Sequence, residues 1–218
     1  MSWHILFALL FGYALGSVPF ALITSKLFGL PDPRTFGSKN PGATNVLRTG
    51  HKGAALLTLI GDAGKGAAAV LIAQAATQSP TLAAAAGLGA FLGHVFSYFL
   101  RFQGGKGVAT ALGVLLAIQP LLGLIAALIW LTVAVVSRYS SLAALIAALL
   151  TPPLAWLLNR TPAEVALVTV LAVILIARHH QNIRNLLQGT ESKIGAKAAT
   201  ASADGSSPGN PSSPENPT

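Results

Sequence analysis

The stretch LLGLIAALIWLTVAVVS, residues 121–137, contains no charged residue, and the equally apolar stretch SLAALIAALLTPPLAWLL follows at 141–158. Hydrophobic residues make up 53% of the 218-residue chain and charged residues only 9%, and the mean hydropathy is +0.65. A water-soluble domain could not bury so much apolar surface. The sequence therefore predicts an all-α, polytopic helical membrane protein, since a helix satisfies its backbone polar groups within one span.

About 20 residues cross a bilayer as a helix, and on this basis we predict seven transmembrane helices. They are placed at 3–25, 54–78, 82–100, 108–119, 121–137, 141–158 and 163–177. The fourth and fifth are short, so a re-entrant hairpin broken at Gln119-Pro120, leaving five true spans, is the alternative. The apolar N-terminal run lacks a basic leader and a cleavage site, and we expect it to be retained as a span.

Lysine and arginine set the expected orientation, because cations near span ends stay on the cytoplasmic side. All loop cations except Arg160 fall on one side of this arrangement, which accounts for the net charge of +8 without nucleic acid as a partner. The same side then carries three functional cytoplasmic loops. We expect one membrane domain over 1–197 and a disordered cytoplasmic tail over 198–218, which is rich in Ser, Pro, Gly and Asn.

The first cytoplasmic loop, residues 26–53, is dense in small polar residues that no spanning or packing requirement explains. Small residues let backbone N–H groups converge on an anion, and an arginine adds a forked donor for phosphate. The residues expected to form this anion nest are Gly37, Ser38, Asn40, Gly42, Thr44, Asn45 and Arg48. A flexible loop that is basic only because it is cytoplasmic is the alternative interpretation.

The second loop, FLRFQGGKGVATALG at 99–113, places Gly104 and Gly105 before Lys106 and leads into a helix that carries Thr110. Glycines would let a phosphate approach the backbone while the lysine supplies charge. The GxxxxGK[ST] spacing of nucleotide-binding loops is absent, so a nucleotide is not implied. A plain start of a span is the alternative.

The third element, ARHHQNIRNLLQGTESK at 177–193, directly follows the last predicted span. His179 and Asn182 are one helical turn apart and can share a face, with Arg178 close by. Adjacent histidines at a membrane boundary can also be merely interfacial. Asp62 and Lys65 lie inside the second span, where ionisable groups are costly. They are three residues apart on a helix, so either a structural pair or a role in the site explains them.

The candidate residues of the three loops lie in three long motifs that resemble the PlsY family of bacterial membrane acyl-phosphate:glycerol-3-phosphate acyltransferases. The motifs are GSVPF at 16–20 with FGSKNPGATNVLRTG at 36–50, GHVFSYFLRFQGGKGVAT at 93–110, and RHHQNIRNLLQGTESK at 178–193. Two positions depart from the family pattern. Lys39 stands where a glycine is usual and Ser97 where a proline is common, and neither change removes a residue assigned to chemistry.

The resemblance implies transfer of a fatty acyl group from acyl phosphate to the sn-1 hydroxyl of glycerol 3-phosphate, giving 1-acylglycerol 3-phosphate (lysophosphatidic acid) and inorganic phosphate in phospholipid biosynthesis. It further implies a multi-pass protein of the bacterial inner membrane whose active site faces the cytoplasm. A functional link to the phosphate acyltransferase that forms acyl phosphate follows as well. The residues expected to be catalytic are Arg48, Lys106, His179 and Asn182, and those expected to bind substrate are Ser38, Asn40, Gly42, Thr44, Asn45, Gly104, Gly105 and Thr110.

An acyl phosphate is already activated, so the protein mainly has to position two anions and neutralise developing charge. We interpret the phosphate of the acyl phosphate as the base, with His179 and Asn182 orienting glycerol 3-phosphate; His179 as a direct base is the alternative. The His-x4-Asp pair of thioester-dependent acyltransferases is absent after every histidine. An organic-phosphate transporter and a ligand-free membrane anchor are the competing functions. Scattered acidic residues and no cysteine predict no metal and no cofactor.

Overall fold

A computed structural model describes residues 2–158 and 160–196, and helices account for nearly all of the regular structure within these ranges. A single 3-10 turn at Tyr98–Leu100 separates the fifth and sixth α-helices. The α-helices are α1 (Ser2–Ser17), α2 (Phe20–Leu27), α3 (Ala43–Leu47), α4 (Lys52–Thr77), α5 (Pro80–Val95), α6 (Val108–Ile118), α7 (Pro120–Ser137), α8 (Ser140–Leu157), α9 (Pro162–Arg178) and α10 (His180–Leu187). The predicted tail at 198–218 lies outside the described residues.

An apolar helical segment occupies each predicted span, and five of these segments are long and apolar enough to cross a membrane. The five are Trp3–Leu27, Lys52–Thr77, Pro80–Leu100, Pro120–Ser137 and Ser140–Leu157. A 57° bend separates α9 from α10, and α6 has only 11 residues, fewer than a full crossing needs. The helical, multi-span membrane fold is thus confirmed, whereas the count of seven crossings stays a prediction.

Prolines define several helix starts. Pro80, Pro120 and Pro162 each occupy the first position of a helix, where the missing N–H costs nothing and the fixed φ suits the helix. The predicted break at Gln119-Pro120 is therefore a helix boundary. At the start of α9, Thr161 and Glu164 form a capping box in which each side chain accepts a hydrogen bond from the other residue's backbone N–H.

The first span is interrupted at Val18 and Pro19, between α1 and α2. Such a break frees backbone carbonyls that a lipid environment cannot satisfy. Two side chains from other parts of the chain satisfy them. The Ser97 hydroxyl donates to the Ser17 carbonyl over 2.6 Å, and the Lys65 ammonium of α4 donates to the Val18 carbonyl over 2.7 Å. The span predicted at 3–25 is present as the segment Trp3–Leu27, which consists of two helices joined by a capped break.

Glycines bring α1 and α5 into close contact. A Cβ added at Gly12 would lie 2.0 Å from the Ala86 carbonyl oxygen, and one added at Gly93 would lie 2.2 Å from that of Tyr13. Membrane helices associate through such small residues, because lipid tails give helix association no hydrophobic driving force. The outward side of the bundle is apolar instead: Leu124, Leu131 and other large side chains of α7 are exposed, as lipid contact requires.

Candidate active site

A cavity of about 1270 Å³ joins the three predicted loops to the apolar interior of the bundle. We call its loop-lined part the polar end; among its lining residues are Arg34, Ser38, Lys39, Asn40, Thr44, Arg48, Lys52, Lys106, Arg178, His179, Asn182 and Glu191. We call its helix-lined part the apolar limb; its walls include Leu112, Leu115, Ala126, Trp130, Ala144, Ala148, Thr151, Val168, Leu171 and Leu175. One ligand could therefore place a charged group at the polar end and a hydrocarbon tail in the apolar limb.

The length of the apolar limb follows from helix geometry. Ser141 of α8 lies at the polar end, where its hydroxyl donates to Glu191, and Thr151 lines the limb ten residues further along the same helix. At 1.5 Å rise per residue the two positions are roughly 15 Å apart. Several alanines of α7 and α8 keep the limb open between them. A hydrocarbon chain can therefore be buried there, and each buried methylene contributes about 0.8 kcal/mol.

Lys106, Asn182 and Glu191 form a chain of hydrogen bonds at the polar end. The Lys106 ammonium donates to the Asn182 amide oxygen over 2.6 Å, and the Asn182 amide nitrogen donates to Glu191 over 2.7 Å. Glu191 also accepts from the Ser141 hydroxyl, and its second oxygen accepts from Asn185 over 3.3 Å. The structure thus brings the second and third motifs together through Asn182, as the sequence predicted, and fixes Asn182 by a carboxylate.

Glu191 lines the cavity and bonds to Asn182, and the sequence interpretation did not select it as a candidate site residue. It is the only acidic residue within the three motifs, and a lone carboxylate among so many cations was the signal that could have identified it. Its partner Ser141 is 50 residues away in the chain, so the pairing exists only in the folded protein. Ser140 and Ser192 were missed for the same reason.

Arg48 reaches the third element from the first loop. Its guanidinium donates to the Ser192 hydroxyl over 2.5 Å and thereby joins the first loop to the third element. Thr44 lies at the exposed rim, where its hydroxyl is 3.1 Å from that of Ser140. All three predicted loops therefore meet at one place.

Lys106 is half-buried in a cationic environment. Burial lowers the pKa of Lys106, the nearby charges of Arg178 and Arg48 lower it further, and the carboxylate of Glu191 opposes them. One carboxylate faces several cations, so the charged lysine is incompletely compensated. An anionic ligand such as a phosphate would supply the missing charge.

His179 lies at the junction of α9 and α10 and is 2% exposed. Its Nδ1 donates to the Leu175 carbonyl over 2.7 Å, which leaves Nε2 as the acceptor. The pKa of this imidazole is lowered from 6.5 to about 4. Burial is the main cause; the charges of Lys106 and Arg178 act in the same direction, and the Leu175 carbonyl and the Glu191 carboxylate oppose them. An imidazole with a pKa of about 4 is neutral at pH 7. It can orient a hydroxyl group, but it is a weak base.

The first loop is braced by hydrogen bonds that occupy some of its backbone polar groups. Asn45 is 1% exposed; its amide nitrogen donates to the Pro33 and Phe36 carbonyls, and its oxygen accepts from the Ser38 backbone N–H. The Lys39 N–H donates to the Phe36 carbonyl. Asn45 thus braces the loop. All the residues predicted to form the nest line the cavity, and an anion nest formed by their backbone N–H groups stays a prediction.

Asn40 and Gly42 also line the cavity, and they too bond within the loop. The Gly42 N–H donates to the Asn40 carbonyl over 2.9 Å. Gly42 has extended backbone angles at the start of α3. Only side chains and the remaining backbone groups of this segment can therefore contact a ligand.

Gly104 and Gly105 differ from their predicted use. Their N–H groups donate to the Val95 and His94 carbonyls at the end of α5, each over 3.1 Å, so these donors are not available to a phosphate. A Cβ added at Gly104 would lie 1.9 Å from the His94 oxygen, and one added at Gly105 would lie 2.2 Å from the His94 ring. The glycines allow the turn to pack closely against α5, and the charge of the turn comes from Lys106.

Thr110 does not reach the cavity. It is fully buried, and it faces α4: a Cβ added at Gly66 would lie 2.5 Å from the Thr110 carbonyl oxygen and 3.1 Å from its methyl group. The cavity is lined by its neighbours Ala109 and Ala111. The helix register thus turns Thr110 into the α4–α6 interface, and its predicted substrate contact is not supported.

Asp62 and Lys65 form an ion pair of 2.8 Å in α4, and His94 Nδ1 lies 3.4 Å from the same Asp62 oxygen. Lys65 also caps Val18, as described above. The pair is therefore structural in part, and Asp62 and His94 additionally border the cavity.

The glycerol-3-phosphate acyltransferase family model matches residues 6–189. A protein of Aromatoleum aromaticum called glycerol-3-phosphate acyltransferase is 61% identical over 88% of this chain and 98% of its own length. One of Dechloromonas aromatica with the same name is 56% identical over 89% of this chain and 98% of its own length.

Two solved structures are similar across 88% of this chain and 96% of theirs. Both are of PlsY, an integral membrane glycerol 3-phosphate acyltransferase. The glycerol 3-phosphate form has 37% identity and a TM-score of 0.82, and the lysophosphatidic acid form has 36% identity and a TM-score of 0.81.

Proposed function

The chain belongs to the glycerol-3-phosphate acyltransferase family, and we propose that it takes its acyl group from an acyl phosphate and places it on the sn-1 hydroxyl of glycerol 3-phosphate. The observation that carries the proposal is one cavity with a cationic polar end and an apolar limb. Both substrates are phosphorylated and one carries a hydrocarbon tail. PlsY, which is similar in structure, is known in glycerol 3-phosphate and lysophosphatidic acid forms, and these are the second substrate and the product of this reaction.

In the proposed reaction, the sn-1 hydroxyl oxygen attacks the acyl carbon and the bond from that carbon to the phosphate oxygen breaks. The hydroxyl proton passes to a phosphate oxygen, and the products are 1-acylglycerol 3-phosphate and inorganic phosphate. Arg48 and Lys106 hold the two phosphates, and Ser38 and Thr44 contact the acyl phosphate or the developing oxyanion. Electrostatic stabilisation of this kind is commonly the largest part of catalysis.

The low pKa of His179 supports the phosphate as the proton acceptor, because an imidazole with a pKa of about 4 is poorly matched to neutral pH. His179 and Asn182 then orient glycerol 3-phosphate, and Lys106 and Glu191 hold Asn182 in place. A His179→Ala protein that binds both substrates as the wild type does, yet has no turnover, would instead favour His179 as the base.

The proposed location is the bacterial inner membrane, with the polar end on the cytoplasmic side. The cationic loops support this orientation, because lysine and arginine are retained there. An acyl phosphate would come from a phosphate acyltransferase that forms it, and the lipid bilayer would receive the product. No metal and no cofactor has a step in this reaction, and nucleic acid has no part in it.

Site variants test the proposal in purified protein given palmitoyl phosphate and glycerol 3-phosphate. Arg48→Ala and Lys106→Ala should each lower kcat/KM at least about a hundredfold, since each removes a charge-assisted contact to phosphate. Lys26→Ala is the matched control: Lys26 is an exposed cation that does not line the cavity, and its loss should leave turnover within about twofold. Full turnover in both site variants would contradict the proposed placement of the phosphates.

A further inference from the structure

Three ionisable side chains meet inside the bundle beneath the polar end, and the proposed reaction gives none of them a step. Asp62 and Lys65 come from α4 and His94 from the last turn of α5. They are 2%, 7% and 7% exposed. We call these three residues the buried triad. Ionisable groups within membrane spans are costly and usually functional.

Charge neutralisation of Lys65 explains only part of the triad. Asp62 and Lys65 are one helical turn apart, and their 2.8 Å ion pair would neutralise both charges without a third residue. His94 nevertheless turns its Nδ1 toward the same Asp62 oxygen at 3.4 Å. A buried pair also carries a desolvation cost that apolar residues would avoid. Neutralisation of Lys65 therefore does not account for the position of His94 beside Asp62.

His94 connects the triad to the glycine–lysine turn, which we define as residues 104–107. Its carbonyl accepts the Gly105 N–H over 3.1 Å. Its ring lies directly on Gly105, since a Cβ there would be 2.2 Å from Nε2. Rotation of the His94 ring would therefore displace the turn, and the contact with Asp62 opposes that rotation.

The other end of the triad is equally fixed. The Lys65 ammonium donates to the Val18 carbonyl at the break of the first span, and it lies 5.9 Å from the centre of the Phe20 ring. Asp62 thus contacts both Lys65, which is anchored at the break between α1 and α2, and His94, which packs against the glycine–lysine turn. Lys106 follows within that turn and reaches Asn182 over 2.6 Å.

We propose that Asp62 is a positioning residue for catalysis: through His94, and anchored by Lys65, it sets the glycine–lysine turn so that the Lys106 ammonium lies where it can hold a substrate phosphate. Asp62 itself transfers no proton in this account. The inference rests on the proposed function for the role of Lys106. Binding of glycerol 3-phosphate, however, can be measured whichever acyl donor the protein uses.

The test uses Asp62→Asn, which keeps the size of the side chain and removes its charge, in the full-length purified protein. The expected results are a KM and a calorimetric Kd for glycerol 3-phosphate raised at least about tenfold, and faster amide hydrogen exchange confined to residues 101–107. A purely structural role predicts a different result. Partial unfolding would lower the active fraction, and hence kcat, but would leave KM unchanged.

Thr58→Val is the matched control. Thr58 is a fully buried polar residue of the same helix whose hydroxyl lies 2.6 Å from that of Thr24, away from the glycine–lysine turn. It should leave KM and the exchange of residues 101–107 unchanged even if it lowers the thermal midpoint. If Asp62→Asn does not fold, His94→Gln gives the same test with the Asp62–Lys65 pair intact.

Unchanged KM, Kd and exchange in a folded Asp62→Asn or His94→Gln protein would overturn the proposal, as would effects equal to those of Thr58→Val. Failure of the acyl-phosphate proposal would look different. In that case the wild type would bind glycerol 3-phosphate without using palmitoyl phosphate, and the Kd and exchange measurements would still decide the role of Asp62.

Discussion

Burial of His179 has a measurable consequence for the pH dependence of stability. Its pKa is about 4 in the folded protein, below its ordinary value of 6.5. Between these values the unfolded chain binds a proton that the folded protein does not, so stability is complete above about pH 6.5 and falls as the pH approaches 4. The loss can reach about 3 kcal/mol.

The thermal midpoint of wild type and His179→Asn, measured from pH 7.5 to 4, tests this expectation. The wild type should lose more stability on acidification than the variant. His180→Asn, at the exposed neighbouring histidine, should follow the wild type. Identical pH profiles for wild type and His179→Asn would show that the folded protein does not exclude the His179 proton.

We expect Glu191 to affect activity because it holds the side chains of Asn182, Ser141 and Asn185. Glu191→Gln replaces one acceptor oxygen by a donor next to donors from Asn182, Ser141 and Asn185, and it removes the carboxylate that offsets the cations near Lys106. We expect kcat/KM to fall at least about tenfold, a barrier increase of about 1.4 kcal/mol. Steady-state kinetics check this, with the exposed Thr190→Ala as control; equal activity in the two variants would remove Glu191 from the site.

Lys39 adopts a left-handed backbone conformation, with φ of 54°, at a position where the resembling family usually has glycine. A non-glycine residue there costs on the order of 1 kcal/mol. Lys39→Gly should therefore be neutral or slightly stabilising, whereas the β-branched Lys39→Val should lower the thermal midpoint and raise KM by shifting Ser38. A Val variant as stable and active as the Gly variant would indicate that the loop relaxes.

Candidate site residues could be predicted from the sequence where the side chain itself binds phosphate. Arg48, Lys106, His179 and Asn182 lie together in the cavity wall as expected, because phosphate binding needs such groups wherever they come from. Backbone donors were not predictable. Whether the Gly104 N–H faces a ligand or the Val95 carbonyl depends on a packing contact with α5 that no local pattern encodes.

At the level of helices, close approach at glycine determines how α1 and α5 pack. Gly93→Ala would place a methyl group 2.2 Å from the Tyr13 carbonyl oxygen, and overpacking of this kind typically costs about 1–3 kcal/mol. The thermal midpoint in detergent should fall by several degrees. Gly64→Ala is the control, since a Cβ there meets nothing within 4 Å, and it should be neutral. Equal midpoints would mean that the helices separate at little cost.

Helix positions were largely predictable because apolar length and proline placement are local signals. The starts predicted at residues 82, 121 and 163 lie within two residues of Pro80, Pro120 and Pro162, where α5, α7 and α9 begin. Helix faces were not predictable in the same way. Thr110 was expected at the substrate and instead faces α4. Because α6 is apolar on nearly all sides, its sequence does not indicate which face packs against α4 and which faces the cavity.

For the whole molecule, the separation of charge and hydrocarbon is the central feature. Loops far apart in sequence meet at the polar end, and α6 to α9 enclose the apolar limb behind it. A membrane-embedded protein can thus draw one substrate from water and hold the tail of the other among its own helices. The acyltransferase family follows from the motifs, the match to its family model and the similar PlsY structures.

The most direct test of the acyl donor is a product balance in purified protein given glycerol 3-phosphate with either palmitoyl phosphate or palmitoyl-CoA. The account predicts that palmitoyl phosphate alone supports turnover, and that inorganic phosphate and 1-palmitoylglycerol 3-phosphate form in a one-to-one ratio. Formation of lysophosphatidic acid from palmitoyl-CoA without phosphate release, or phosphate release without any acylated product, would contradict it.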